Sequence, residues 1–338
     1  MMELSQKLTA LQRLGAYMSG QGTEEERETL QEVKQRAYVQ NGWFTPEFID
    51  LAIRNICQYY LDKAQLEQWL DKYPGFGQPA RQKKVGIVAA GNIPLVGFHD
   101  WLTGFLSGHE VRIKLSSKDN VLLPHLLNKL QEWYPGAAAY TSVQDMLKDC
   151  DAYIATGSNN SARYFNYYFA KYPHIIRRNR TSVAILQGNE TREELEALAD
   201  DVMLYFGLGC RNVTKVYVPE GYTFGPLLEA FTKYAYMADH NKYKNNFDYN
   251  LALFLLNTTP CLTNDSILLQ ENESIFSPIS VLHYGYYSNR EELEAQLREN
   301  EDLQCLVAKD AIPFGQAQKP SLNDYADGVD TAAFLRSL

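Results

Sequence analysis

The residues Val85-Gly86-Ile87-Val88-Ala89-Ala90 form an unbroken apolar run between Lys84 and the turn Gly91-Asn92-Ile93-Pro94-Leu95. A strand without polar alternation is buried on both faces, which is the signature of a parallel sheet covered by helices. Pro94 is suited to open a helix through His99, Trp101, Leu102 and Phe105, and Gly108 to stop it. Residues 111–115 read as a second strand, 122–133 as a helix, 140–143 as a weak third strand and 152–155 as a fourth. Thr156-Gly157-Ser158 ends that strand, and Tyr164, Phe165, Tyr168 and Phe169 follow at helical spacing. Strand and helix alternating over residues 84–172 predict a doubly wound parallel sheet. Ligands of such sheets lie at the carboxyl ends of the strands, where Asn92, Lys114 and Thr156-Gly157-Ser158 fall.

Upstream, residues 1–83 read as an N-terminal helical segment packing on the sheet. Leu4, Leu8, Leu11 and Leu14 make one apolar face, and Ile49, Ala52, Ile53, Ile56 and Tyr60 another. Downstream, a strand at 182–186, a helix opened by the capping box Thr191-x-x-Glu194 and a strand at 214–218 begin a second α/β unit. It continues through a helix over 227–237, the apolar stretch 250–256, loop then strand at 275–282, a helix over 290–300 and a strand at 305–308. The expected divisions are therefore 1–83, 84–180, 181–305 and a C-terminal return segment, 306–338.

The helix after Thr191 places Leu195, Leu198, Val202 and Tyr205/Phe206 on one side and is expected to stop at Gly207. Gly207-Leu208-Gly209-Cys210-Arg211 then sets a thiol in a glycine-walled gap before the next strand. Arg211 favours the thiolate, whereas the negative end of the preceding helix opposes it. A lone cysteine is more often a small buried hydrophobe than a nucleophile, so this stretch alone leaves both readings open. Thr156-Gly157-Ser158 is likewise either a helix cap or a phosphate site. Lys114 either snorkels or binds an anion or sugar hydroxyl, and Asn92 is a turn residue or an oxyanion donor.

With 32 Lys and Arg against 41 Asp and Glu, the net charge is −9, which argues against general nucleic-acid or membrane-surface binding. No apolar run is long enough to span a bilayer, and Met1–Gly20 is amphipathic rather than signal-like, so a soluble cytoplasmic protein is expected. Five scattered cysteines without CxxC pairs make neither a disulfide framework nor a zinc site, and the six histidines lack metal-ligand spacing. No metal is expected. Tyr234, Tyr236, Phe247 and Tyr249 are candidates for lining a ligand tunnel, although core packing accounts for most such residues. The GxGxxG dinucleotide fingerprint is absent from the first strand–helix turn.

The joint order of these motifs resembles the aldehyde dehydrogenase superfamily. Gly91-Asn92-Ile93-Pro94 is similar to that family's Asn-Phe-Pro turn, and Ile113-Lys114-Leu115-Ser116 to its Leu-Lys-Pro-Ser strand end. Ala155-Thr156-Gly157-Ser158 resembles its Phe-Thr-Gly-Ser turn, Cys210 its nucleophile, and Ile275-Phe276-Ser277-Pro278 its Ile-Phe-Gly-Pro. The resemblance implies two Rossmann-like α/β domains behind an N-terminal helical segment, with 84–180 binding the cofactor and 181–305 carrying the cysteine. It implies Cys210 and Asn92 as catalytic residues, and Lys114, Ser116, Ser117, Thr156, Gly157, Ser158 and Phe276 as cofactor contacts.

Three departures carry information. The family's Glu-Leu-Gly-Gly segment, which supplies a base for hydrolysing the acyl-enzyme, falls near Ile176-Arg177-Arg178-Asn179, where no carboxylate stands. Ser117 followed by Lys118 replaces an acidic residue, which removes repulsion towards a 2′-phosphate and favours NADPH, with NADH also open. Ser274 replaces the ribose-binding glutamate, with Glu273 adjacent. Ile-Lys-Leu-Ser-Ser, Gly-x-Gly-Cys-Arg and the tail Tyr325-Ala326-Asp327-Gly328-Val329-Asp330 resemble more closely the LuxC-type acyl-CoA reductases. That resemblance implies reduction of an acyl thioester, from CoA or acyl-carrier protein, to the aldehyde through an acyl-cysteine. The alternatives are an acylating dehydrogenase running oxidatively and a non-catalytic acyl-binding scaffold. Homo-oligomerisation is left open.

Overall fold

A computed structural model describes residues 2–338. Four helices, α1 (Leu4–Met18), α2 (Glu24–Gln40), α3 (Pro46–Asn55) and α4 (Lys63–Leu70), precede β1 (Lys84–Val88). Then come α5 (Phe98–Ser107), β2 (Glu110–Lys114), α6 (Leu122–Trp133), β3 (Thr141–Val143), β4 (Ala152–Thr156), α7 (Asn159–Phe169) and β5 (His174–Arg177). The chain continues as β6 (Thr181–Ile185), α8 (Arg192–Met203), β7 (Val213–Pro219), α9 (Gly225–Ala230), α10 (Asn241–Leu256), β8 (Leu262–Thr263) and β9 (Leu268–Glu271). It closes with β10 (Val281–Tyr287), α11 (Arg290–Arg298), β11 (Leu303–Val307) and α12 (Thr331–Arg336). Among the described residues, no helix is long and apolar enough to cross a membrane.

Two compact units result. The first holds residues 1–179 and 320–338, the second 180–319. Residues 306–319 of the expected return segment thus pack with the second unit, and only 320–338 come back to the first.

In the first unit five parallel strands run in the order β3-β2-β1-β4-β5. The apolar run of β1 pairs on both sides, with Ile87 opposite Ile113 and Ile154, which is why it shows no alternation. The N-terminal helices share a core with this sheet: Leu11, Leu14, Trp69, Phe98, Trp101 and Leu130 are all fully or almost fully buried within it. Lys7 of α1 lies buried too, donating to the Phe105 carbonyl (2.8 Å) and resting on the Tyr140 ring (3.9 Å). The returning tail is pinned by His109, whose Nε2 donates to the Leu335 carbonyl (3.0 Å), and by Tyr73, which donates to Asp330 (2.8 Å). The tail's composition gave no propensity for α12. Tertiary contact with the first unit supplies its stability, as is usual for a helix this short.

The second unit holds a six-stranded sheet, β11-β6-β7-β10-β9-β8, parallel except for the β8–β9 pair. Here β8 and β9, like β5 in the first unit, are strands that the sequence patterns did not mark. Each is at most four residues long, too short to display a period. The stretch 250–256 belongs to α10, whose start is capped by His240 Nδ1 accepting from the Tyr243 N–H. Tyr234 and Phe247 are core residues, whereas Tyr236 and Tyr249 are 47 % and 64 % exposed, so the four do not form one lining.

Candidate active site

At the carboxyl edge of the first sheet, β1 is the switch point: the chain winds away through β2 and β3 on one side and returns as β4 on the other. Asn92, Lys114 with Ser116 and Ser117, and Thr156-Gly157-Ser158 follow the ends of the three adjacent strands β1, β2 and β4. The β1 and β2 loops touch at backbone distance. A Cβ on Gly91 would lie 2.6 Å from Ser116 Cβ, so only glycine fits there. Asp119, 6 % exposed, ties the loops together by accepting the Leu95 N–H (2.8 Å), and Leu95 itself has φ 58°. Burial pushes the Asp119 carboxyl up to about 7. The C-terminal end of α2 supports the β2 loop, with Gln40 donating to the Ser117 carbonyl (3.2 Å) and Asn41 to that of Lys118 (3.1 Å).

Several of these groups are partly engaged within the protein. The Lys114 ammonium is exposed and gives one of its protons to the Asp145 carbonyl (2.6 Å), which leaves two donors. Ser158 is the N-cap of α7, accepting from the Ser161 N–H (3.3 Å), and the Gly157 N–H is taken by the Arg177 carbonyl (3.2 Å). The first-turn N–H groups of Asn159 and Asn160 remain for an anion. Gly157 is required sterically, because a Cβ would meet Ser161 Cβ at 2.8 Å and Phe165 at 3.0 Å. An exposed ammonium, serine hydroxyls and a helix N-terminus along a switch-point edge suit the diphosphate and ribose of a dinucleotide. Ser117 and Lys118 are exposed beside them.

The thiol loop is built in the second unit. α8 opens as the capping box predicts: Thr191 accepts the Glu194 N–H (3.2 Å) and Glu194 the Thr191 N–H (2.8 Å). It ends at Met203, however, four residues before the expected stop. Tyr205, Phe206 and Gly207 all lie in the left-handed region, with φ of 55°, 56° and 74°. Such a conformation costs each non-glycine residue about 1 kcal/mol and needs outside support. The Phe206 ring supplies part of it by packing on His240 (4.6 Å between centroids).

Asn212 supplies the rest, and sequence reasoning missed it. Fully buried, its amide donates to the carbonyls of Asp201 (3.1 Å), Val202 (3.2 Å) and Leu204 (2.8 Å). Its side-chain oxygen accepts the Gly209 N–H (2.8 Å). One side chain therefore ends α8 and fixes the backbone on the N-terminal side of Cys210. Ser182 holds the far side, donating to the Cys210 carbonyl (3.1 Å). Cys210 is half-buried. Arg211 commits its Nε to the Ala317 carbonyl (2.5 Å). Buried Asp201 draws in the same segment by accepting the Gly315 (2.6 Å) and Ala317 (2.9 Å) N–H groups. The only sequence signal for Asn212 is an amide at the entrance of an apolar strand.

Phe276 is half-exposed on the loop between β9 and β10. Ser274, standing where the family has a ribose-binding glutamate, is exposed and bonds within its own loop: its Oγ accepts the Phe276 N–H (3.1 Å) and donates to the Phe276 carbonyl (3.1 Å). In the segment near which the family's hydrolytic base falls, β5 carries Arg177, 3 % exposed, paired with Asp100 (2.5 Å) and bonded to Thr331 (2.9 Å). Among the described residues no group of three or more His, Cys, Asp or Glu could hold a metal ion.

The acyl-CoA reductase (LuxC) family profile matches residues 42–224. No curated protein matches. Solved structures similar to this chain include an NAD+ complex of a Bacillus cereus aldehyde dehydrogenase, at 12 % identity and TM-score 0.65, covering 91 % of this chain and 72 % of that one. A P. syringae indole-3-acetaldehyde dehydrogenase gives the same four values. A gamma-glutamyl-gamma-aminobutyraldehyde dehydrogenase of Burkholderia cenocepacia reaches 14 % identity and TM-score 0.62 over 91 % and 72 % of the two chains. These likenesses establish the aldehyde dehydrogenase-like α/β fold. The family match spans more than half of the chain, which therefore belongs to the acyl-CoA reductase (LuxC) family, oxidoreductases acting on acyl and aldehyde groups.

Proposed function

We propose that this protein reduces an acyl thioester, carried by CoA or an acyl-carrier protein, to the aldehyde with NADPH. The second unit supplies the nucleophile. The Cys210 thiolate attacks the thioester carbonyl, the carbon–sulfur bond to the donor breaks, and the donor leaves as its thiol. The Cys210 backbone N–H holds the oxyanion, and the family resemblance assigns Asn92 as its second donor. When bound, the nicotinamide cofactor supplies the hydride that reduces the acyl carbon. The resulting thiohemiacetal then collapses, returning the thiolate and releasing the aldehyde.

The first unit binds the cofactor along its switch-point edge. Lys114 and Ser116 hold the adenosine ribose, the Thr156-Gly157-Ser158 turn lies beside the diphosphate, and Ser117 with Lys118 accommodates the 2′-phosphate. In the second unit Phe276 packs near the nicotinamide ribose. The observation that carries the reductive reading is Arg177. It lies, buried and paired with Asp100, in the segment Ile176-Arg177-Arg178-Asn179 near which the family's Glu-Leu-Gly-Gly falls, and none of those four residues is a carboxylate. Without a base to activate water, the acyl-enzyme persists for hydride transfer.

Intact-protein mass spectrometry after incubation with an acyl-CoA series, wild type beside Cys210→Ala, tests this reading. A wild-type adduct that disappears on adding NADPH, with aldehyde released, is the expected result. No adduct from any CoA or carrier-protein donor would refute it.

A further inference from the structure

Three successive carbonyls of the loop that bears Phe276 are each held by a side chain of the second sheet. Lys215 in β7 donates to the Glu273 carbonyl (2.9 Å), His283 in β10 through Nδ1 to that of Ser274 (2.9 Å), and Thr214 in β7 to that of Ile275 (2.5 Å). A carbonyl only accepts, so His283 carries its proton on Nδ1. Lys215 and His283 are 3 % and 4 % exposed. The lysine lies over the Tyr217 ring (4.7 Å) in a slot that Gly285 leaves open, where a Cβ would come within 3.2 Å of its Cε.

Burying an ammonium on a neutral carbonyl is costly, and methionine would fill the same slot without that cost. The polar ends of these side chains therefore serve the loop rather than the packing. Nothing local replaces them. Ser274 is already engaged with Phe276, and Asn272 with the Ser274 N–H (2.9 Å).

We infer that Lys215 and His283 are positioning residues that preset the 273–276 backbone, so that Phe276 is held ready to meet the nicotinamide end of the cofactor. The family's glutamate would order its loop by gripping the ligand; here the sheet orders the loop before any ligand arrives. The cofactor half of this inference rests on the proposed function.

The test uses the full chain with Lys215→Met and His283→Leu. Lys215→Gln and His283→Asn serve as donor-preserving counterparts. Hydrogen exchange over 272–277 in the free protein is expected to quicken about tenfold on losing one such bond, and the KM for NADPH to rise by a similar factor. Cys210 acylation measured without cofactor stays at the wild-type rate, and the donor-preserving variants recover most of the loss. Exchange and KM both within twofold of wild type would overturn the inference. So would faster exchange with an unchanged KM, which reduces the two residues to a stabilising role. If the wild type forms no acyl adduct, the thioester reading fails separately, and NADPH fluorescence on binding then replaces KM as the readout.

Discussion

Replacing Asn212 by alanine removes in one step the contacts that its two amide protons share among the Asp201, Val202 and Leu204 carbonyls, the first two in the last turn of α8 and the third just beyond it, and the bond its oxygen accepts from the Gly209 N–H. Asn212 is fully buried, and the Asp201 and Val202 carbonyls and the Gly209 N–H lie in the interior with it, whereas Leu204 is half-buried. The Asp201 carbonyl keeps a long contact from Gln318 (3.4 Å), which leaves the Val202 and Leu204 carbonyls and the Gly209 N–H as the main losses. At roughly 1–3 kcal/mol for each orphaned buried group, partly relieved by relaxation, the expected cost is about 3–5 kcal/mol. That is a large share of a typical folding free energy of about 5–15 kcal/mol, yet the chain should still fold at low temperature. The same change frees the loop on the N-terminal side of Cys210. Denaturant unfolding gives the stability, hydrogen exchange over 204–212 the order of the loop, and the rate of Cys210 acylation by acyl-CoA its geometry. A displacement of about 1 Å is enough to slow that rate by two orders of magnitude. If Asn212→Ala loses less than about 1 kcal/mol and acylates at the wild-type rate, Asn212 does not position the thiol.

Two further expectations concern the first unit. Burial raises the Asp119 carboxyl from an ordinary 3.8 to about 7, so the folded chain keeps this proton to higher pH than the unfolded chain. Its contribution to stability is fully present below pH 3.8 and drains at about 1.4 kcal/mol per pH unit up to about 7. Asp119→Asn keeps an acceptor for the Leu95 N–H. Its stability relative to wild type should therefore climb across that window in urea titrations, and a constant difference would contradict the assignment. Arg177→Leu strands the Asp100 carboxylate in the interior and should cost about 3–5 kcal/mol. Arg177→Leu with Asp100→Leu should regain most of this in the same assay, and a double variant no more stable than the single one would show that the pair is not the reason.

The sequence by itself marked β1 to β4, four of the five strands of the first sheet, and the ends at which the candidate site lies. β1 and β4 are apolar because both faces are covered, and the carboxyl ends of β1, β2 and β4 carry Asn92, Lys114 and Thr156-Gly157-Ser158. Buried parallel strands and N-caps are local in origin, so residues 84–88 and the Thr191 cap could be read directly. Where α8 stops was not legible. Tyr205 and Phe206 are ordinary residues in left-handed conformations, held there by Asn212 and by the ring of His240, which lies more than thirty positions along the chain. Nor was the use of Ser274, Lys215 and His283, because a lysine within an apolar strand has no partner until β10 and the 272–280 loop fold against β7. Local patterning encodes which segments become strands and helices, whereas the partners of a buried polar group are chosen only when distant segments meet. The sequence thus marked the candidate nucleophile and cofactor contacts, and the tertiary structure alone decided which side chains hold their loops in place.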